Sequence, residues 1–417
     1  MKSLTPYIRF GKQSETLLIN QVSLGRENND QQVFKFGFGQ SPFPVPKAIS
    51  DALAKAASRK EYMSVQGHPP LRQAIVDFHN QLEDKNWQAD EIIVGAGSKI
   101  LIFSVMAAFD HAEVLLPAPS WVSYEPQAKL AGHKHSWIST RFEDRWNLTA
   151  EGLENFCINR QDPKVPLILV LNYPNNPTGQ SYSARELADL AVIMKKHEII
   201  VIADEIYGLL NYSYPQASIA HHYPEGSITS SGLSKWCGAG GWRLGFIHVP
   251  STLGAELFQA IISVASETYS CAPSPIQIAA TIAYSNQTLA QEFLGKQIKL
   301  LKQISIYCTN CLSDIGIKAH PAAGAFYLFP DFSFYQEQLK NKGITTSDQL
   351  TTTIMDETGV ALLPGSAFGM PAESLTTRLA FVDFDGSQIL EKDYKLAEFN
   401  KLKQGIQKLT QWFLALD

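Results

Sequence analysis

The sequence predicts an α/β fold: a large domain on a mainly parallel sheet, followed by a smaller α+β C-terminal domain. Three observations predict it. Short, continuously apolar runs bounded by turns alternate with longer amphipathic stretches, the pattern of βα units. From about residue 274 this gives way to some forty residues of helical periodicity, then to shorter strands and helices. The chain, with 417 residues and 45% apolar composition, is also longer than one core usually serves. The expected division is an N-terminal segment (1–45) packing with the small domain, a large domain (46–290) and a small domain (291–417).

The strands expected in the large domain are "EIIVG" (91–95), "EVLLP" (113–117), "PLILVLN" (166–172), "IIVIAD" (199–204) and "LGFIHV" (244–249). Their unbroken apolar character suits strands covered on both faces. Between two of them, "SARELADLAVIMKKH" opens on a capping box, Ser183 with Glu186. It closes on Lys195, Lys196 and His197, which favour the negative helix end, so it reads as a crossover helix. The stretch from 274 reads as a helical spine broken near Asn286. Beyond it come the strands "AFYLF" and "TRLAFV", helices at 347–358 and 391–416, and the turn "LLPGSAFG".

Composition excludes several classes. With 35 basic and 40 acidic residues the net charge is −5, so the chain lacks the basic footprint of a nucleic-acid binder. Five cysteines, an odd number without disulfide-framework spacing, fit a reducing compartment. Cys308-x-x-Cys311 stands alone inside a helical pattern, and the ten histidines show no ligand spacing, so no metal is expected. The opening "MKSLTPYIRFGKQSETLL" has no sustained apolar run and no segment reaches bilayer-crossing length. The expectation is a cytoplasmic protein that does not engage a membrane.

The most informative stretch is "SGLSKWCGAGGWRLG" (231–245), where Lys235 sits among small residues. Small neighbours leave room for a bulky partner, and a desolvated amine is pushed toward its nucleophilic free base, so Lys235 is a candidate Schiff-base former. The glycines at 238, 240 and 241 bare backbone N–H groups ahead of Arg243, which suits a phosphate. A mobile loop with a salt-bridging arginine is the plainer alternative.

In open parallel sheets ligands lie beyond the C-terminal strand ends, which singles out further residues. Gly97, Ser98 and Lys99 open a helix whose free amides can hold phosphate, or else form a plain tight turn. In "NYPNNPTG" a rigid turn aims Asn175 or Asn176 at a fixed point, unless it is only an Asx turn. Asp204 ends an apolar strand and Tyr207 follows by three; a carboxylate at that depth needs a cation or donor, such as a protonated pyridine nitrogen, or else caps the next helix. Trp121 has an indole able to stack on an aromatic ring, or simply to pack.

With those residues in view, the chain resembles the class I/II aminotransferases of fold type I, which use pyridoxal 5′-phosphate, from about residue 36 to the C-terminus. The match runs through "GQSPFPVP", "YMSVQGHPPLRQAI", "GAGSK", "PAPSWVSY", "NYPNNPTG", "DEIYG", "GLSKWCGAGGWRLG", "GAFYLF", "LLPGSAFG" and "TRLAF". The resemblance implies a seven-stranded sheet and a cofactor carried on Lys235 as a Schiff base. It implies that Asp204 pairs with the pyridine N–H, that Asn176 and Tyr207 contact the phenolic oxygen and that Trp121 stacks on the ring. It also implies a phosphate set of Ser98, Lys99, Ser234 and Arg243, with Gly97 at the same turn. Tyr62 matches a tyrosine that reaches a neighbouring subunit's phosphate, which implies a homodimer with shared sites. Arg378 and Gly39 match residues that hold the substrate α-carboxylate.

Gly232 departs from the pattern, because many members have serine three residues before the lysine. Either Ser230 or Ser231 substitutes, or one hydrogen bond is missing. The implied reaction moves an amino group from an L-amino acid to a 2-oxo acid by ping-pong Schiff-base chemistry. The alternatives are a C–S β-lyase or related eliminase of the same fold, and a non-catalytic sensor.

Overall fold

A computed structural model describes residues 14–213 and 215–416. In chain order its strands are β1 (Phe34–Lys35), β2 (Ile92–Gly95), β3 (Glu113–Ala118), β4 (Lys134–Ser139), β5 (Leu167–Asn172), β6 (Ile200–Asp204), β7 (Ser227–Gly232), β8 (Gly245–His248), β9 (Tyr327–Leu328), β10 (Val360–Ala361), β11 (Leu363–Pro364) and β12 (Thr377–Ala380). The large sheet runs β2-β8-β7-β6-β5-β3-β4. All its neighbours are parallel except β8, which is antiparallel to both β2 and β7.

The apolar runs are unbroken because both faces are covered. Leu115, Leu169, Leu171 and Val201 pack on one side with Leu187, Leu190 and Met194 of the crossover helix Ala184–Lys196. Val114, Ile168, Val170 and Ile202 face the other side, with Leu101, Ile102 and Val105 of the helix Ser98–Ala107. The period of two in a strand distributes alternate side chains to opposite helix layers. The crossover helix starts at its capping box, where the Ser183 amide donates to Glu186 Oε2 at 2.8 Å.

The helical spine breaks where expected, into Ser274–Ser285 and Gln287–Ser313, and Asn286 Oδ1 accepts the Leu289 amide at 3.2 Å. The smaller C-terminal domain carries the antiparallel set β11-β12-β9 and the helices Ser347–Thr358 and Asn400–Leu414. Near the N-terminus β1 pairs in parallel with β10, and the helix Glu15–Glu27 ion-pairs through Arg26 with Asp356.

Several elements differ from the sequence expectation. The last helix begins at Asn400 rather than 391, because the carboxylate of Glu398 captures the Lys395 amide and the Lys392 ammonium in a local turn. β4 was not anticipated, since it is an edge strand with a half-exposed polar sequence. Nor was β7, "SITSSG", which is wholly buried but, apart from Ile228, built of hydroxyl and glycine residues. Gly232 therefore ends a strand rather than spoiling one. A Cβ there would lie 2.7 Å from Gly245 Cα and 2.7 Å from the Leu244 carbonyl oxygen, so the antiparallel partner leaves room only for glycine. Among the described residues, no helix is long and apolar enough to cross a membrane, and no three His, Cys, Asp or Glu residues group as metal ligands.

Candidate active site

A cavity of about 460 Å³ opens beyond the C-terminal ends of β2, β3, β5, β6 and β7. Lys235 enters it three residues after β7. Its ammonium donates to the Gly39 carbonyl oxygen at 3.0 Å and lies 5.2 Å from the centre of the Tyr207 ring. Burial, then the charge of Arg378, pushes the amine down to about 8, against the opposing pull of Asp204.

Asp204 ends β6 and is buried. Its Oδ2 accepts the Tyr124 hydroxyl at 2.6 Å and its Oδ1 accepts the Ile206 amide at 3.3 Å. Burial pushes the carboxyl up to about 6, with the Tyr124 hydrogen bond acting the other way. The Ile206 contact is a local turn bond two residues on; the next helical turn, Gly208–Leu210, starts at Tyr207 without a side-chain cap, so Asp204 does not cap it. Tyr207 shares a 2.7 Å hydrogen bond with Tyr327, and burial holds its phenol well above the usual range, so it stays neutral.

The structure separates the two asparagines. Asn175 Oδ1 accepts the Thr178 amide at 3.0 Å, a local bond three residues on that braces the turn, and Asn176 lines the cavity. Asn176 Oδ1 accepts from Arg378 Nη1 at 2.9 Å, and Arg378 Nη2 donates to the Gly37 carbonyl oxygen at 2.7 Å. Arg378 is 1% exposed, its Nε has no partner, and among the described residues no carboxylate pairs with it. A buried guanidinium in that state is primed for an anion.

A second cationic end lies at the helix Ser98–Ala107. Gly97 caps it with φ 95° and no side-chain bond, which leaves the first-turn amides free. A Cβ on Gly97 would lie 2.3 Å from Arg243 Nη2, so the guanidinium rests against that turn. Arg243 itself adopts φ 56°, held by its bond from Nη1 to the Gly240 carbonyl oxygen at 2.8 Å. Lys99 is pushed down by burial and then by Arg243, and its ammonium sits 5.3 Å from the Trp121 ring. Ser234 completes this wall, whereas Ser230 and Ser231 do not reach the cavity.

The cavity thus gathers Gly39, Ser98, Lys99, Trp121, Asn176, Asp204, Tyr207, Ser234, Lys235, Arg243 and Arg378. Tyr62 stands apart, 90% exposed on the surface. Sequence reasoning missed Tyr124 and Tyr327, and also Thr16 and Leu17 from the N-terminal helix. Tyr124 follows Trp121 by three, the same interval as Tyr207 after Asp204, which was a usable signal. Nothing in the local pattern around Thr16 tied it to the site.

The family model for aminotransferase class I and II matches residues 31–384. The chain belongs to that family. An aspartate aminotransferase from Bacillus sp. (strain YM-2) is 31% identical over 389 residues, 91% of this aminotransferase and 93% of the relative. An asparagine–oxo-acid transaminase from Streptococcus mutans serotype c is 29% identical, covering 86% and 90% of the two chains. Among solved structures, the Thermus thermophilus aspartate aminotransferase with maleate superposes at a TM-score of 0.85, with 24% identity and 99% and 100% coverage. Amino-group transfer, rather than elimination or sensing, is thereby the activity of this aminotransferase, on the fold type I architecture.

Proposed function

We propose that this aminotransferase binds pyridoxal 5′-phosphate through Lys235 and moves an amino group from an L-amino acid to a 2-oxo acid in two half-reactions. One observation carries the reading: a desolvated lysine shares a cavity with buried Asp204, with Arg378 at one end and Lys99 and Arg243 at the other, and among the described residues no salt bridge engages any of them.

The residues fit the group in three places. The free amides at Ser98, with Arg243, Lys99 and Ser234, match a phosphate dianion. Among the described residues Asp204 has no cation in hydrogen-bond contact, and a ring N–H⁺ supplies one. Trp121 offers a stacking face, while Tyr207 and Asn176 offer donors to the phenolic oxygen. When bound, the cofactor supplies an aldehyde for imine exchange and a conjugated ring that spreads negative charge left on carbon.

Arg378 holds the substrate α-carboxylate through N–H groups left free by Asn176 and Gly37, beside the Gly39 backbone. Once its amine is released, Lys235 takes the proton from the substrate Cα and returns it elsewhere. An amine whose pKa lies near 8 is partly free base at neutral pH, as a base in this role requires. Asp204 keeps the ring nitrogen protonated, and Tyr124 holds Asp204 ionised.

Tyr62, exposed and away from its own cavity, supports a homodimer in which it serves the partner's phosphate. Five free thiols support a cytoplasmic setting. The pairing of β1 with β10 supports a division into 1–45, 46–290 and 291–417, of which residues 1–13 lie outside the described ones. The names of the relatives put aspartate and asparagine first among donors to try. The test is an amino-donor screen on purified protein loaded with the cofactor, following visible absorbance through each half-reaction. Spectral cycling between an amino acid and a 2-oxo acid is expected, and a spectrum unmoved by every donor overturns the reading.

A further inference from the structure

Glu205 follows Asp204 at the end of β6, and successive side chains of an extended segment face opposite ways. Asp204 lines the cavity. Glu205 turns into the protein beneath it, where its Oε2 meets Lys85 Nζ at 3.2 Å. Both side chains are buried, 2% exposed for Lys85 and 4% for Glu205. Glu205 Oε1 accepts the Tyr173 hydroxyl at 2.8 Å and the Ser218 hydroxyl at 2.5 Å, and the Tyr173 oxygen accepts the Ile219 amide at 2.9 Å. Nothing in the proposed reaction uses this cluster, yet its carboxylate is one peptide from the acid on which the reaction depends.

Two carboxylates so close disfavour each other's charge unless a cation compensates one of them. Lys85 is the ammonium at hydrogen-bond distance. It reaches Glu205 from the loop after the helix Pro69–Glu83, over the Trp87 ring at 5.4 Å. The other charged groups of this layer have nearer partners, Glu83 the His79 ring at 2.5 Å and His248 the Glu91 carboxylate at 3.0 Å, although Glu83 also feels Lys85 and His221, and His248 feels Lys85 and Glu205. On the cavity side Asp204 faces Tyr124, Tyr207 and Lys235.

We propose that Lys85 is a positioning residue for Asp204: its buried ammonium cancels the charge of Glu205, so that the adjacent Asp204 can carry its own. The functional consequence rests on the reading of Asp204 as partner of the cofactor's ring nitrogen. The electrostatic claim does not.

The test follows the carbon-13 carboxyl signal of Asp204 in the cofactor-free protein, identified by its loss in Asp204→Asn. In the unaltered chain the titration midpoint is expected near 6. Lys85→Met should raise it by about one pH unit, a tenfold change in proton affinity. Lys85→Arg should leave it in place. Glu205→Gln, which leaves the ammonium uncompensated, should lower it, and the double variant Lys85→Met/Glu205→Gln should return it to the starting value. A folded Lys85→Met variant with an unmoved midpoint overturns the proposal. If that variant does not fold, equal midpoints in Glu205→Gln and the unaltered chain overturn it instead. Cofactor affinity measured against pH keeps the two readings apart. If the Asp204 midpoint moves as expected and the acid limb of binding does not follow, Lys85 keeps its role and the assignment of Asp204 to the ring nitrogen fails.

Discussion

Tyr124 donates its hydroxyl hydrogen to Asp204 across 2.6 Å, linking the segment after β3 to the end of β6 inside a buried pocket. That bond favours the ionised carboxylate against the burial that pushes it up to about 6. Tyr124→Phe removes a hydrogen bond to a charged group, about 1.5–3 kcal/mol. The Asp204 midpoint should rise by about one to two pH units. Turnover should then decline on the acid side of neutrality and recover toward alkaline pH, and a pH–rate profile identical to that of the unaltered enzyme contradicts the role of Tyr124.

Lys235→Met should abolish transamination and stabilise the cofactor-free protein. The amine falls from 10.5 to about 8 on folding, so between those values the unfolded chain binds the extra proton and stability rises with pH. Below about pH 8 the full penalty applies, about 2 kcal/mol after allowing for partial exposure. Denaturant titrations should show the variant more stable at pH 7 by that amount, with the gap closing above pH 10. Retained transamination, or a gap that widens with pH, counts against the assignment.

Asp204→Ala should leave the cofactor attached and lower turnover roughly a hundredfold or more, the scale of a lost preorganised electrostatic partner. Borohydride reduction followed by peptide mapping checks attachment at Lys235. An unchanged rate removes the electrostatic role.

Arg378→Ala should impair substrates through their α-carboxylate. Amino acids should lose far more kcat/KM than the corresponding decarboxylated amines, and equal losses on both would show that the guanidinium does not read that group.

Gly232→Ser would restore the residue common in the resembling pattern, yet its Cβ would lie 2.7 Å from both Gly245 Cα and the Leu244 carbonyl oxygen. Overpacking of backbone against backbone should destabilise the chain by about 1–3 kcal/mol, read as a lowered denaturation midpoint. A variant as stable as the unaltered protein would show that β7 and β8 can separate without cost.

The doubly covered strands were legible because β3, β5 and β6 must be apolar on both faces, and that leaves a mark on composition. The edge strand β4 and the hydroxyl-rich β7 leave no such mark, since one is half solvated and the other packs small side chains closely. The terminal helix starts nine residues later than the hydrophobic period suggests, because side-chain capture by Glu398 ends the pattern and the period does not register that.

For the site the division is similar. Lys235, Asp204 and Arg243 stand out in the linear chain because each sits in a local setting that ordinary packing does not call for, such as a charge ending an apolar run, whereas Arg378 is singled out only by the family resemblance. Which groups meet was decided only by folding. Arg378 meets Asn176 across 202 positions, and Tyr207 meets Tyr327 across 120. Tyr124 reaches Asp204 because β3 and β6 both flank β5 and end at the same sheet edge. The sequence by itself determined the chemical inventory and the doubly covered strands; the tertiary structure decided protonation and pairing. The physical reason is that a pKa depends on solvent exclusion and on neighbours in space, neither of which is a property of position along a chain.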